Sequence, residues 1–276
     1  MKHFEFNGIQ IPKLGLGTWE SKGDSCKTAV REALNMGYRH IDTAQAYDNE
    51  DQVGAGIAEA GVPRDDIFLV TKIWRDKISK DALKPSLEES LSKLKTDYVD
   101  LLLLHWPVDD VPLEEQLEAL QNVQKEGKTR LIGVSNYTVD HMKQTIEDNG
   151  VEIATNQVEY HPFLNQTKVL DYLRSKGLFL TAYSPLARGD VLDNETLKEI
   201  GARYDLNPVQ VSILWEYQQD SVITIPKSDN PEHIKLNLEA IEKELSQEDM
   251  DKIFDLQSGE GRKVDPDFAP EWDEAA

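Results

Sequence analysis

The stretch IFLVTKIWRDKISKDALKPSLEESLSKLKTDYVDLLLLHW, residues 67–106, sets two β-like runs on either side of an amphipathic segment. Ile67–Thr71 and Tyr98–Leu104 have strand character, and Lys80–Leu94 between them has the helical pattern. Strand, helix and strand in that order make the unit of a parallel sheet. The unit repeats outward in both directions. Further β-like runs are Lys13–Leu16, Arg39–Ile41, Leu131–Val134, Ala154–Val158, Leu178–Ala182 and Val222–Ile225. Helical patterns cover Ser25–Met36, Glu50–Ala60, Leu113–Glu126, Val139–Asp148, Gln166–Lys176 and Glu195–Tyr217. Asn207-Pro208 should split the last of these, because the residue before a proline disfavours helix. Gly37, Gly61, Gly127, Gly150 and Gly177 follow helices, where a left-handed cap needs no Cβ. Eight strands alternating with helices over about 250 residues point to an α/β (β/α)8 barrel. A doubly wound sheet is the competitor, but no GxGxxG opens a helix after any strand.

The ends depart from the repeat. HFEF-NG-IQIP, residues 3–12, alternates around Asn7-Gly8, the signature of a β-hairpin, which is expected to cover the barrel bottom. Residues 245–249, LSQED, read as a helix start. The tail from Ser258 carries Phe268 and Trp272, so it is expected to dock over the barrel top. No linker interrupts the chain, and a single domain over residues 1–276 is expected.

Composition narrows the partners. With 51 acidic and 30 basic residues the net charge is −21, which repels nucleic acid and anionic membranes. Salt adaptation and an ordinary acidic cytosolic protein both fit that charge. The apolar run at residues 99–104, interrupted by Asp100, is too short to span a bilayer, and MKHFEF lacks a secretory pattern. The single cysteine, Cys26, forms no internal disulfide and reads as a packing residue of a cytoplasmic protein, here expected to be a monomer.

In a (β/α)8 barrel the chemistry sits where the strands end. The polar residues at those points are Asp42, Lys72, His105, Ser135-Asn136, Asn156-Gln157, Tyr183-Ser184 and Lys227-Ser228, with Tyr47 five residues past Asp42. Each alone has an ordinary explanation. Asp42 and Asn49 suit turns or caps, Lys72 a snorkelling surface lysine, His105 a satisfied core histidine, and Tyr183 an amphipathic core residue. Their convergence on one rim is what argues for a site. No HExxH or Cys/His cluster suggests a metal. Glu159 is the one further carboxylate near a strand end that a barrel hydrolase could use.

GIQIPKLGLGTW, HIDTAQAYDNE, FLVTKIW, LLLLHWP, IGVSNY, NQVEYHP, AYSPLARG and IPKSDN occur in this order. Together they resemble the aldo-keto reductase family, over about residues 5 to 240, and most nearly its small microbial, diketogluconate reductase-like members. The resemblance implies reduction of a small-molecule carbonyl by a nicotinamide cofactor, with a tetrad of Asp42, Tyr47, Lys72 and His105. A cofactor-sensing subunit with little turnover is the alternative within that resemblance. The chemistry of the tetrad can be stated independently. Hydride delivered to a carbonyl carbon leaves an alkoxide that needs a proton donor within reach. An unperturbed phenol, with a pKa of about 10, is a slow donor at neutral pH. A lysine cation beside it is expected to lower that pKa, with Asp42 as counter-charge, while His105 donates a hydrogen bond to the carbonyl oxygen.

By the same resemblance Ser135, Asn136 and Gln157 hold the carboxamide, and Tyr183 stacks on the nicotinamide. Backbone around Ser184, Leu186 and Arg188 meets the pyrophosphate. Lys227 and Ser228 grip the adenosine 2′-phosphate of NADP(H), with His233 and Asn237 beside them. This end departs from the family pattern. His233 stands where an arginine is usual, Asp229 adds a negative charge, and Leu236 replaces a glutamate. Histidine lacks arginine's bidentate fork, so use of NAD(H) is expected as well. Trp19, Trp74 and Trp106 are expected to wall the substrate pocket beside Tyr47 and His105. Short loops after Pro107 and Gly189 suggest an open site, and Arg262 and Trp272 could reach over it from the tail.

Overall fold

The computed structural model describes residues 1–273; the last three residues of the expected domain, 274–276, lie outside the described residues. Strands β1 (His3–Phe6) and β2 (Ile9–Pro12) pair antiparallel, Phe6 against Ile9, around Asn7 and Gly8. Both turn residues take positive φ, 50° and 77°, as a two-residue hairpin turn requires. Phe6 and Ile11 are buried, and the Phe4 ring lies 5.2 Å from that of Phe179, at the start of a barrel strand. The hairpin therefore closes the end of the barrel where the strands begin.

The barrel itself is built from β3 (Leu16–Gly17), β4 (His40–Asp42), β5 (Phe68–Ile73), β6 (Val99–Leu104), β7 (Thr129–Ser135), β8 (Thr155–Glu159), β9 (Phe179–Tyr183) and β10 (Val222–Thr224), each parallel to the next in sequence. Leu14 pairs with Thr224 and Gly17 with Lys227, which closes the sheet between its first and last strands. A Cβ at Gly17 would stand 2.7 Å from the Ile225 carbonyl oxygen, so closure needs glycine there. Strands buried on both faces read as nearly continuous apolar runs, as in VDLLLL of β6. The one interruption, Asp100, is buried but paired with Arg64 and Arg130, each at 2.8 Å.

Helices α1 (Gly23–Met36), α2 (Glu50–Ala60), α3 (Lys80–Leu94) and α4 (Leu113–Lys125) fill the connections from β3 to β7. They are followed by α5 (Val139–Lys143), α6 (Thr167–Ser175), α7 (Glu195–Tyr204), α8 (Pro208–Gln218), α9 (Pro231–Ala240) and α10 (Gln247–Phe254). The chain splits at Asn207-Pro208 as expected, and Asn207 and Gln210 form a reciprocal capping box on α8. Gly37 ends α1 at φ 111°, the left-handed cap read from the sequence. Cys26 is buried in α1, where burial raises its pKa.

Three features differ from expectation. The segment expected as one helix over residues 139–148 is α5 followed by a π-turn, Gln144–Asp148. Thr145 donates its hydroxyl to the His141 carbonyl at 2.9 Å, and the ladder widens so that Asn149 N–H reaches Gln144 O. Helix α9 was not anticipated, although Asn230 caps it and Pro231 starts it. Asn49 precedes α2 as expected but does not cap it. Its buried amide binds the carbonyls of Thr18 and Ser21 and accepts from Thr43, bracing the β3 and β4 loops together.

Glu216 on α8 is fully buried with its carboxyl facing the Thr224 hydroxyl, and among the described residues neither group has a well-formed hydrogen bond. Burial pushes its carboxyl well above the ordinary range, so the fold holds it as the neutral acid. An unfolded glutamate ionises near pH 4.3, so the stability cost grows as pH rises from there through the folded pKa. Glu216→Leu is therefore expected to stabilise the protein at neutral pH by about 1–3 kcal/mol, raising Tm by several degrees. A lowered Tm in a thermal melt would contradict this.

Candidate active site

Parallel strands bring all their C-terminal ends to one rim, and the two-residue period decides which side chains point inward there. Asp42 ends β4, Lys72 lies one residue before the end of β5, His105 follows β6, Ser135 ends β7, Gln157 lies in β8 and Tyr183 ends β9. The structure brings these together around a cavity of about 660 Å³. Its wall includes Trp19, Tyr47, Trp74, His105, Trp106, Asn136, Gln157, Tyr183, Ser184, Leu186, Arg188 and Lys227. Lys72 and Ser135 are buried and do not line it. Ser228, His233 and Asn237 lie outside the cavity lining, with His233 exposed on α9.

The floor is a chain of charge-assisted contacts. Lys72 Nζ donates to Asp42 Oδ1 at 2.6 Å, to the Thr43 carbonyl at 2.8 Å and, more weakly, to the Tyr47 hydroxyl at 3.3 Å. The second oxygen of Asp42 accepts from Gln157 Nε2 at 2.7 Å. Tyr47 sits on a tight turn, Gln45–Tyr47, that Gln45 fixes. The Gln45 amide donates to Ser86 and Ser90 and accepts from the Trp74 backbone N–H. Lys22 donates to the Tyr47 carbonyl from the other side. Neither Gln45 nor Lys22 carried a sequence signal, since each touches its partner only through the fold.

The electrostatics correct one expectation. Lys72 was expected to lower the pKa of Tyr47, but burial, with Asp42 adding to it, holds the phenol well above its usual range. The ammonium 3.3 Å away favours phenolate, yet it is already neutralised by Asp42 at 2.6 Å. Burial lowers the pKa of Lys72 itself, and Asp42 opposes that shift. His105 is pushed well below its ordinary value by burial and then by Lys72, so it is a neutral imidazole. Among the described residues its Nδ1 is buried without a partner. The His105 ring stands edge-on to Tyr47 and Trp74, with centroids 5.8 and 5.2 Å away.

Further round the rim, Ser135 donates to the Gln157 carbonyl at 2.8 Å. Asn136, at φ 62°, donates to the His105 carbonyl and to Ser135 Oγ, and accepts from the Tyr183 hydroxyl at 2.7 Å. Ser184, Ala187 and Arg188 all take positive φ and fold the β9 loop tightly. The Arg188 guanidinium lies 5.4 Å from the ring of Trp19, which is 42% exposed and so is not simply packing the barrel top. Lys227 pairs with Asp229 at 2.9 Å.

The sequence reading did not foresee how the tail docks. Glu159, considered above as a second catalytic carboxylate, is fully buried and accepts from the Lys263 and Val264 amides at 2.7 and 2.9 Å and contacts His161 Nε2 at 3.0 Å. Val264 reaches the cavity wall, and Lys263 pairs with Asp190 at 2.6 Å. Phe268 packs edge-on against both Trp74 and Trp106, and the Arg262 guanidinium stacks on Trp272 at 3.7 Å. Among the described residues no cluster of three potential metal ligands occurs.

Comparison with known proteins gives a consistent answer. A profile of the aldo/keto reductase family matches residues 13–257. The chain is 46% identical over 269 residues to methylglyoxal reductase DkgB of Escherichia coli O157:H7, covering 96% of this chain and 100% of that one. It is 40% identical over 262 residues to glyoxal reductase of Bacillus subtilis (strain 168), covering 95% and 94%. Among solved structures, a putative 2,5-diketo-D-gluconic acid reductase B superposes with a TM-score of 0.96 at 44% identity, covering 99% of this chain and 98% of that one.

Proposed function

The chain belongs to the aldo/keto reductase family and is an oxidoreductase that reduces carbonyl groups with a nicotinamide cofactor; on that premise we propose how its residues divide the work. The observation that carries the reading is the Asp42–Lys72–Tyr47 chain beneath one cavity, with His105 beside it. When bound, the reduced nicotinamide supplies a hydride to the carbonyl carbon. Tyr47 hands its phenolic proton to the oxygen, and His105 Nε2–H orients that oxygen and stabilises its developing charge. Lys72 stabilises the phenolate left behind, and Asp42 holds Lys72 in place. A firmly protonated Tyr47 arrives loaded as an acid, and an alcohol is oxidised only from its phenolate form.

The cavity's polar groups fit the nicotinamide end. Gln157 spends its Nε2 on Asp42 and leaves Oε1, without a donor, on a residue of the cavity wall. Asn136 Oδ1 keeps a second lone pair beyond the one Tyr183 uses. Ser135, Asn136 and Gln157 would hold the carboxamide, the Tyr183 ring would support the nicotinamide, and backbone around Ser184, Leu186 and Arg188 would meet the pyrophosphate. Lys227, Ser228, His233 and Asn237 form the adenosine end, which we read as accepting NAD(H) as well as NADP(H).

The substrate we propose is a small aldehyde or ketone, of the size of the methylglyoxal and glyoxal in the relatives' names. Trp19, Trp74 and Trp106 wall the cavity, and Phe268 of the tail packs on the latter two. No helix of the described residues is long and apolar enough to cross a membrane. The acidic charge and the single cysteine support a cytoplasmic protein that engages neither membrane nor nucleic acid, and we read it as a monomer.

The test is the pH dependence of kcat/KM in both directions. Reduction needs the phenol, so it should stay flat from about pH 6 to 9 and fall only above the ordinary tyrosine value of about 10. Oxidation of the alcohol needs the phenolate and should rise across that same upper range. A reduction limb titrating near neutrality would overturn the assignment of Tyr47.

A further inference from the structure

Resting on the dinucleotide reading above, we propose that Asp229 is a built-in counter-anion that selects against the 2′-phosphate and receives the free ribose hydroxyl of NAD(H). Lys227 is the cation at the adenosine end of the cavity, and Asp229 Oδ2 already holds its ammonium at 2.9 Å. The other oxygen, Oδ1, accepts from the hydroxyl of Ser21. Ser21 is itself buried, and its carbonyl is fixed by Asn49 Nδ2 at 3.0 Å. The carboxylate is therefore held from two sides by elements at opposite ends of the chain, after β3 and after β10.

A 2′-phosphate brings about two negative charges at neutral pH. It would meet a lysine whose charge is spent and a carboxylate that repels it. The neighbouring His233 is exposed on α9 and carries no bidentate fork to compensate. To bind the free donors of Lys227 the phosphate would have to sit beside the Asp229 carboxylate, which Lys227 and Ser21 hold in place. A ribose hydroxyl asks for the opposite environment. It is a donor that a carboxylate accepts, the same chemistry by which an acidic residue marks NAD-binding sites on other folds.

The experiment titrates NAD+ and NADP+ separately into wild type, Asp229→Asn and Ser21→Ala, following quenching of tryptophan fluorescence, with reductase kinetics in parallel. Asp229→Asn is expected to tighten NADP+ about tenfold and to weaken NAD+ severalfold, while Ser21→Ala, which frees the carboxylate, shifts the ratio the same way but less. The kcat/KM ratio for the two reduced cofactors should follow the binding ratio. A ratio of dissociation constants within twofold of wild type in Asp229→Asn would overturn the proposal. So would a wild-type preference for NADP+ above about a hundredfold. Failure of either dinucleotide to bind wild type would take down the dinucleotide site as well, a result distinct from an unmoved ratio.

Discussion

Tyr47→Phe is expected to lower kcat/KM for aldehyde reduction by about 10²–10⁴-fold, the usual worth of a positioned general acid. The substitution removes one oxygen and little else. Among the described residues the Tyr47 hydroxyl has a single side-chain partner, Lys72 at 3.3 Å, and Lys72 keeps its stronger contacts to Asp42 and the Thr43 carbonyl. The turn that carries residue 47 is fixed through Gln45 and Lys22, which do not touch the hydroxyl. Folding stability should accordingly change by less than about 1 kcal/mol, and cofactor affinity should be nearly unchanged. The loss should fall on kcat, since the interaction removed matters mainly in the transition state. Steady-state kinetics beside a fluorescence titration separate the two, and a variant that keeps a tenth of the activity would contradict the proton-donor role.

Lys72→Met is expected to abolish reduction and also to destabilise the protein by about 3–5 kcal/mol, on the order of 10 °C in Tm. Both partners of the Lys72–Asp42 pair are buried, and the ammonium makes all its contacts inside the barrel. Removing it leaves the Asp42 carboxylate in the core with, among the described residues, only Gln157 as a hydrogen-bond donor. The double variant Lys72→Met, Asp42→Leu removes the orphaned charge and should recover most of the lost stability but none of the activity. That split separates an ion pair kept for chemistry from one kept for folding. If Lys72→Met melts within a degree of wild type, the buried pair is not organised as described.

The alternation of strands and helices was legible because parallel strands need long apolar runs and returning helices need an apolar face. β6 and α3 fall almost where the sequence puts them. The site's cast was legible for the same reason, since a polar residue ending an apolar strand has only the rim to occupy. What escaped depends on contacts distant in sequence. Glu159 reads as a spare carboxylate until residues 263 and 264 return to it across about a hundred positions. Asn49 has the composition of a cap, but the loops after β3 and β4 meet around it and its amide serves them instead. Helix α9 was overlooked because Asn230-Pro231, a strong start signal, follows directly on a motif read for chemistry. The cation near Tyr47 is legible in the sequence, but the burial that raises the proton affinity of the phenol, and Asp42's closer hold on that cation, are not.

The central claim is that this chain turns carbonyls over with a nicotinamide hydride. The most direct measurement follows the loss of reduced-nicotinamide absorbance by the purified wild-type protein across small aldehydes, 2-oxoaldehydes and sugar-acid ketones, with the alcohol quantified. The account predicts steady turnover with at least the small 2-oxoaldehydes, one cofactor oxidised for each alcohol formed. Tight binding of both cofactors with no turnover anywhere in that panel would contradict it.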